Sequence, residues 1–551
     1  MSRTSSLLSV AERTGFRATS THAEVMAYLG ELAALARPEL YVTSFGSSPQ
    51  GRELPLLILS SAGVRSPAAA RALGLPVVLI QCCIHAGEVE GKEAALMLAR
   101  DLLAGLDLGL LEQMTLLVVP LFNPDGNDAM DPAHRALQIE KLKGQQGPHT
   151  SGTRVNAAGI NLNRDYIRHE ALEMRLMQRH ICHAWQPDLT VDTHATNGSV
   201  HRFAMTYDIP HTRESGRAEP IDYMRQVFVP EVSRAVRRNA GFDSGWYGNF
   251  VEDERVLDRS GTADPSSAVG EGWMTYPHHP RFGSNYRGLG SRLDLLLECY
   301  SYLGFEERVK TTYAWLHEIL RAVGRRASEI TALVNTCQAP PPRVAVRYRL
   351  EATAEPVEIL TREPRTLEGK PVSLQMPFLA RFVGDTLIER PRAYLVPARL
   401  GEFLRGHGLA LEPAPAAARV ESATLVGLAA TPGRAILEAA GVGQRQVGWA
   451  PSTRPVPADT LLLRTEQRLG ALAVYLCEPE SDDGLVEGGY VPTPSVGGST
   501  RCASASASTP GNALSAIWGR TSVSITRRWA IRSISPHASK ASRRYTALRL
   551  S

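Results

Sequence analysis

Apolar residues recur at helical spacing in AEVMAYLGELAALARPEL (Val25, Met26, Leu29, Leu32, Leu35), a run that stops before Pro38 and predicts an amphipathic helix. YVTSFGSSPQGRELPLLILS changes the period, with two strand-like runs around a Gly/Ser/Pro turn that predict a hairpin. The next run, PVVLIQCCI from Pro76, is apolar on both faces, as in a strand covered on both sides. It ends at His85-Ala-Gly-Glu88 and passes into GKEAALMLARDLL, which suits a helix packed on that strand. MTLLVVPLF repeats the buried-strand pattern and ends in the turn tetrapeptide Asn123-Pro-Asp-Gly126. Residues 127 to 159 are polar and Gly-rich, a long surface excursion of the kind that is more often functional than idle. A helix rich in Leu, Met and Arg follows, then the short strand DLTVDTH ending in His194, and later the strand LDLLLE ending in Glu298. Strands alternating with helices predict an α/β fold whose mixed central sheet is flanked by helices.

Beyond residue 335 the pattern shifts. QAPPPR breaks the chain at 336–343, a short stiff connector between the part at 1–335 and a smaller β-rich domain at 344–490. That stretch offers the strand-like runs RVAVRYRL, VEIL, RAYLVPA, ATLVGL, TLLLRT and ALAVYL, with one helix at ARLGEFLRGHG, and it has no catalytic signal of its own. Residues 491–551 hold 13 Ser and no sustained period, which reads as a disordered tail or as the product of a shifted reading frame replacing a native last strand. The shifted frame is preferred to a nucleic-acid-binding tail.

Charge changes the picture only once this tail is set apart. Nine of the 60 basic residues and none of the 56 acidic ones fall in 491–551, so 1–490 carries 51 against 56, a net of −5 rather than the +4 of the whole chain. A mildly acidic body gives no reason to expect nucleic acid or a membrane surface as partner. Seven scattered cysteines without a C-x-x-C pair argue against a disulfide framework. The start, MSRTSSLLSVAERTGF, has no continuous apolar core, and nowhere do 18 apolar residues run together. A reducing, cytoplasmic setting is expected.

Chemistry concentrates at strand ends. In open α/β sheets ligands gather beyond the carboxyl ends of the strands, so His85 and Glu88, three apart just past a strand, can face one ion. A third ligand is needed, and His194, just past another strand end, is the natural choice. His180 and His183, three apart on a predicted helix, and His278-His279, beside prolines in a loop, compete with it.

The order HAGE, NPDG, Arg154 then Asn163-Arg164, a strand-end His194 and LDLLLE resembles the zinc carboxypeptidases of the carboxypeptidase A superfamily. GSSPQGRELPLLIL resembles that family's leading hairpin, so the resemblance runs from about residue 20 to about residue 335. Each motif is weak alone, and their order makes them strong. The resemblance implies one zinc per chain on His85, Glu88 and His194, with an open position for water, the pattern of catalytic rather than closed structural zinc. It further implies that Asn163 and Arg164 grip the substrate's terminal carboxylate, that Arg154 stabilises the oxyanion, and that Glu298 is the general base. Tyr286 would be a substrate-side hydroxyl, although its spacing from Glu298 differs from that of better known members. Many members carry an acidic residue two before the Asn-Arg pair to orient a zinc-binding His, and this chain has Asn161 there, with Asp192 or Asp165 as candidates to compensate.

The reading is a zinc-dependent hydrolase, a metallocarboxypeptidase removing C-terminal residues from peptides with a free carboxylate. A second reading keeps the zinc chemistry but takes N-acyl amino acids, because RVNAAGINLNR also resembles the Arg-x-Asn segment of the related desuccinylases and aspartoacylases. A third, a catalytically silent zinc-binding module, would require a missing ligand or base, and none is missing.

Overall fold

The computed structural model describes residues 7–107, 109–196, 198–253, 271–415, 456 and 458–490, together with the backbone of 420–426, 446–452 and 548–550. Its first fourteen strands in chain order are β1 (Leu40–Ser47), β2 (Glu53–Leu59), β3 (Val77–Cys82), β4 (Thr115–Val119), β5 (Leu189–Thr196), β6 (Met205–Asp208), β7 (Ser244–Trp246), β8 (Asn249–Phe250), β9 (Trp273–Met274), β10 (Leu293–Tyr300), β11 (Arg343–Ala352), β12 (Val357–Glu363), β13 (Lys370–Met376) and β14 (Phe378–Glu389). One eight-stranded sheet has the order β1-β2-β4-β3-β5-β10-β6-β7. The hairpin expected between residues 41 and 60 is β1 with β2, which joins β4 antiparallel at one side. The four strands β4, β3, β5 and β10 are mutually parallel, so their carboxyl ends open on one edge.

The expected two-faced burial holds. Val78, Ile80, Leu116 and Val118 pack on one face with the helices His22–Ala33, Glu90–Leu103 and Phe305–Arg325. Val77, Leu79, Leu117 and Val119 pack on the other. The first of those helices starts where the sequence places it, with Thr21 and Glu24 forming a reciprocal capping box. Gly91 lets the second lie directly on β5, since a Cβ there would meet the Thr193 hydroxyl at 2.0 Å.

The β-rich stretch after residue 343 shares both a sheet and a core with what precedes it. β11 and β14 form a four-stranded sheet with β9 and β8. Val474, Tyr475 and Leu485 lie in the same cluster as Leu79 and Phe122. One element differs from expectation: ALAVYL is the helix Gly470–Cys477, buried all round, not a strand. A short apolar run has no polar face to reveal its period, and here the tertiary surroundings select the helix. The Ser-rich tail at 491–547 lies outside the described residues; Leu548–Leu550 is a short strand in a separate six-stranded sheet.

The long excursion at 127–159 is anchored rather than free. Arg308, fully buried, donates to the carbonyls of Gln146 at 3.0 Å and Gly147 at 2.6 Å and faces Glu90 at 3.4 Å. That holds the loop over the open edge of the sheet. Among the described residues no helix is long and apolar enough to cross a membrane, and the six cysteines there are unpaired.

Candidate metal centre and its surroundings

β3 ends at Cys82, and Cys83, with φ at 55°, turns the chain so that His85 and Glu88 hang over the sheet's open edge. Gly87 is required by close approach: a Cβ there would meet Gly152 O at 2.6 Å and Arg135 Cδ at 2.7 Å. His194 and Glu298 are not at or past the ends of their strands, as the sequence suggests, but two residues inside them, since β5 and β10 continue to Thr196 and Tyr300. Hydrogen bonding to neighbouring strands extends a ladder beyond its apolar run, so boundaries slip by a residue or two.

Three donor atoms converge. His194 Nδ1 lies 3.2 Å from His85 Nδ1 and 2.9 Å from Glu88 Oε2, and His85 Nδ1 lies 3.2 Å from the same oxygen. All three residues are buried. Tetrahedral bonds of roughly 2.0–2.1 Å place ligand atoms about 3.3 Å apart, so the spacing fits a zinc-sized ion. The outer ring nitrogens fit as well. His85 Nε2 donates to Asn161 Oδ1 at 3.0 Å, and His194 Nε2 lies 3.3 Å from Asp192 Oδ1, near enough for attraction although off the line of a straight hydrogen bond. Both rings therefore turn Nδ1 inward.

Asn161 takes the orienting place beside His85 with a neutral oxygen, and the charged support is found on the other histidine, from Asp192. Asp165 does not compensate, because its carboxylate is engaged by the backbone N–H groups of Glu170 and Ala171. Burial, reinforced by Arg154, lowers His85 to about 3, which leaves its ring neutral and its Nδ1 lone pair available. Burial works against a charged His194, but Asp192 and Glu88 override it and raise that ring well above its ordinary value. Burial likewise opposes the Glu88 carboxylate, and His85, Arg135 and His194 together hold it well below the usual range.

Arg154 Nη1 lies 3.2 Å from Glu88 Oε1 and 3.1 Å from His85 Nδ1, with 44% of its side chain exposed. Glu298 pairs with His194 in the parallel register of β10 and β5, so the two side chains rise from one face of adjacent strands. Asn163 is linked to the cluster through Asn161, whose Oδ1 accepts from both His85 Nε2 and Asn163 N–H at 3.1 Å. Arg164 donates to Asn163 O at 2.7 Å, and its guanidinium lies 3.9 Å from the centre of the Phe282 ring. Tyr286 turns elsewhere: its hydroxyl meets His407 Nδ1 at 2.7 Å and its ring packs on Tyr166. His183 is spent on the Gly406 carbonyl at 3.1 Å.

One residue that the sequence does not mark belongs to the centre. Arg135 donates to Glu88 Oε1 at 3.0 Å, to Ala195 O at 3.3 Å and to Gln145 Oε1 at 2.7 Å, so it ties the Glu88 turn to the strand bearing His194. Only the long loop's length hinted at a role, and nothing local distinguishes this arginine from a solvated one.

Residues 25–195 match the family model described as zinc carboxypeptidase. This bears out, over that span, the resemblance drawn from motif order. No curated protein matches the chain. Among solved structures, a metallo-carboxypeptidase from Burkholderia cenocepacia is 18% identical, with 56% of this chain and 70% of that one covered at a TM-score of 0.38. A Pseudomonas aeruginosa metallo-carboxypeptidase in complex with (2-guanidinoethylmercapto)succinic acid is 17% identical, with 56% and 68% covered at 0.36. Carboxypeptidase A from Helicoverpa armigera is 17% identical, with 57% and 75% covered at 0.35. Likenesses of that size carry no functional weight.

Proposed function

We propose that this chain, whose residues 25–195 have the zinc carboxypeptidase signature, is a zinc metallocarboxypeptidase that removes the last residue of peptides with a free terminal carboxylate. The observation that supports it most is the convergence of His85 Nδ1, Glu88 Oε2 and His194 Nδ1 within 3.2 Å of one another, with Glu298 in register with His194 on the next strand. One zinc on these donors would supply Lewis acidity, acidifying a water and polarising a carbonyl.

The chain's own residues divide the remaining work. Glu298 takes a proton from the attacking water and returns it to the leaving amine, which makes it base and then acid in one cycle. Arg154, partly exposed beside the donors, offers its guanidinium to the charge developing on the carbonyl oxygen, a contribution of about 3 kcal/mol for a preorganised donor. Arg164 and Asn163 receive the terminal carboxylate, for which a planar guanidinium can form two charge-assisted bonds. Asp192 and Asn161 hold the two rings with Nδ1 inward.

The test pairs metal analysis with matched substrates. Purified protein should cleave free-acid peptides, fail on the same peptides amidated at the C-terminus, and be slower on N-acyl amino acids. Equal rates on acid and amide would end the exopeptidase reading. Exclusive turnover of N-acyl amino acids would move the substrate class to the desuccinylase-like reading.

A further inference from the structure

The acidic turn Ser481–Gly484 follows the buried helix Gly470–Cys477 and reaches into the loop that carries Phe282. Asp482 and Asp483 are each 4% exposed, which demands that both carboxylates be compensated. Asp483 takes three donors from one residue: the Arg281 backbone N–H at 2.9 Å, Nε at 3.1 Å and Nη2 at 2.7 Å. Asp482 binds His278 Nε2 at 2.8 Å and also accepts from the Tyr475 hydroxyl. The loop is held internally too, by Phe282 N–H to the His279 carbonyl at 3.2 Å and by Asn285 Nδ2 to the carbonyls of Pro277 and His279. Phe282 follows directly. Its ring lies under the Arg164 guanidinium, and the next residue, Gly283, donates its N–H to Asn163 Oδ1 at 3.0 Å.

His278, His279 and Asp482 also bring three donor atoms within 4.8 Å. A cation there would compete with His278 and Tyr475 for Asp482 and would sit where burial first, then His278 and the guanidinium groups of Arg281 and Arg164, already depress the charged form of His279. The cluster is better understood as one end of a clamp.

We propose that Asp482 and Asp483, from the β-rich second half, are positioning residues for the terminal-carboxylate site: they fix His278 and Arg281, so that Phe282 holds the Arg164 guanidinium ready for the substrate. A free arginine side chain would have to surrender its rotamers at each binding event, and a stack on a fixed aromatic ring removes that loss beforehand. The inference rests on the reading of Arg164 as the carboxylate-binding residue.

The test uses the full chain with three variants, Phe282→Leu, Asp483→Asn and Asp483→Glu, and reads kcat, KM and zinc content on matched free-acid and amidated peptides. Phe282→Leu is included because Asp483→Asn leaves the buried Arg281 unpaired and can cost folding. Phe282→Leu should raise KM for the free acid by about tenfold to a hundredfold with kcat within about twofold and zinc unchanged. Asp483→Asn should do the same where it folds, and Asp483→Glu should recover part of the loss. An unchanged KM in Phe282→Leu while the wild type still rejects the amide overturns the clamp and leaves the carboxypeptidase reading intact. A fall in kcat at constant KM also overturns it. A wild type that does not distinguish acid from amide removes the reading of Arg164, and the clamp falls with it.

Discussion

The proposed metal side and the proposed carboxylate side of this site are built on different supports. On the metal side His194 and Glu298 stand in register on adjacent parallel strands, and His85 and Glu88 follow the end of the neighbouring one. On the other side Asn163 and Arg164 ride on the segment after residue 150, and Arg164 rests on Phe282 from a second loop that is itself tied to residues 482 and 483. Strand ends in one sheet are placed by the backbone ladder, so donor spacing there needs few further contacts. Loop residues need a partner for each side chain, and here the direct partner of Asn163 comes from 120 residues further along the chain, in a loop that residues 482 and 483 hold in turn. Separable effects should follow, with changes on the metal side acting on zinc and turnover and changes on the carboxylate side acting on substrate affinity.

The largest effect is expected from His85→Ala, which should remove zinc and activity together, while His180→Ala keeps both, as read by metal analysis. Retained zinc in His85→Ala would break the comparison at its first premise. Glu298→Gln should hold zinc near wild type and lower turnover by ~10² to 10⁴, the range for losing acid-base catalysis. Zinc loss in that variant would instead make Glu298 a ligand. Arg135→Ala sharpens the comparison, because it removes the tie between Glu88 and Ala195 without removing a donor. Zinc affinity measured against a competing chelator should weaken by about 10 to 100-fold, and peptide KM should change little. A KM effect without a zinc effect would transfer Arg135 to the carboxylate side.

The smallest effect concerns Asp165, beside the Asn-Arg pair. Burial raises its carboxyl from 3.8 to about 7, against the two backbone N–H groups it accepts. Between those values the folded chain binds more protons than the unfolded one, so this group's contribution to stability falls as pH rises from 3.8 to about 7 and is level above. Asp165→Asn should flatten that part of the profile in denaturant unfolding at stepped pH. An unchanged slope would assign the pH dependence elsewhere.

The sequence by itself determined the alternation of buried strands and amphipathic helices, and with it a mixed sheet flanked by helices. The apolar runs before His85, His194 and Glu298 are local features, and a parallel ladder brings their ends together whatever lies between. Motif order likewise pointed to the zinc carboxypeptidase model that matches residues 25–195. What only the tertiary structure decided has no periodic or local mark. Arg135 becomes a partner of Glu88 because the long loop folds back under the grip of Arg308. ALAVYL becomes a helix because it is buried on every side, where no polar face sets a period. Tyr286 faces His407 and Arg164 rests on Phe282 because distant segments pack there. Nothing local marks the carboxylates of Asp482 and Asp483, and only burial beside His278 and Arg281 makes them partners of those residues, since the need for a partner arises when water is removed.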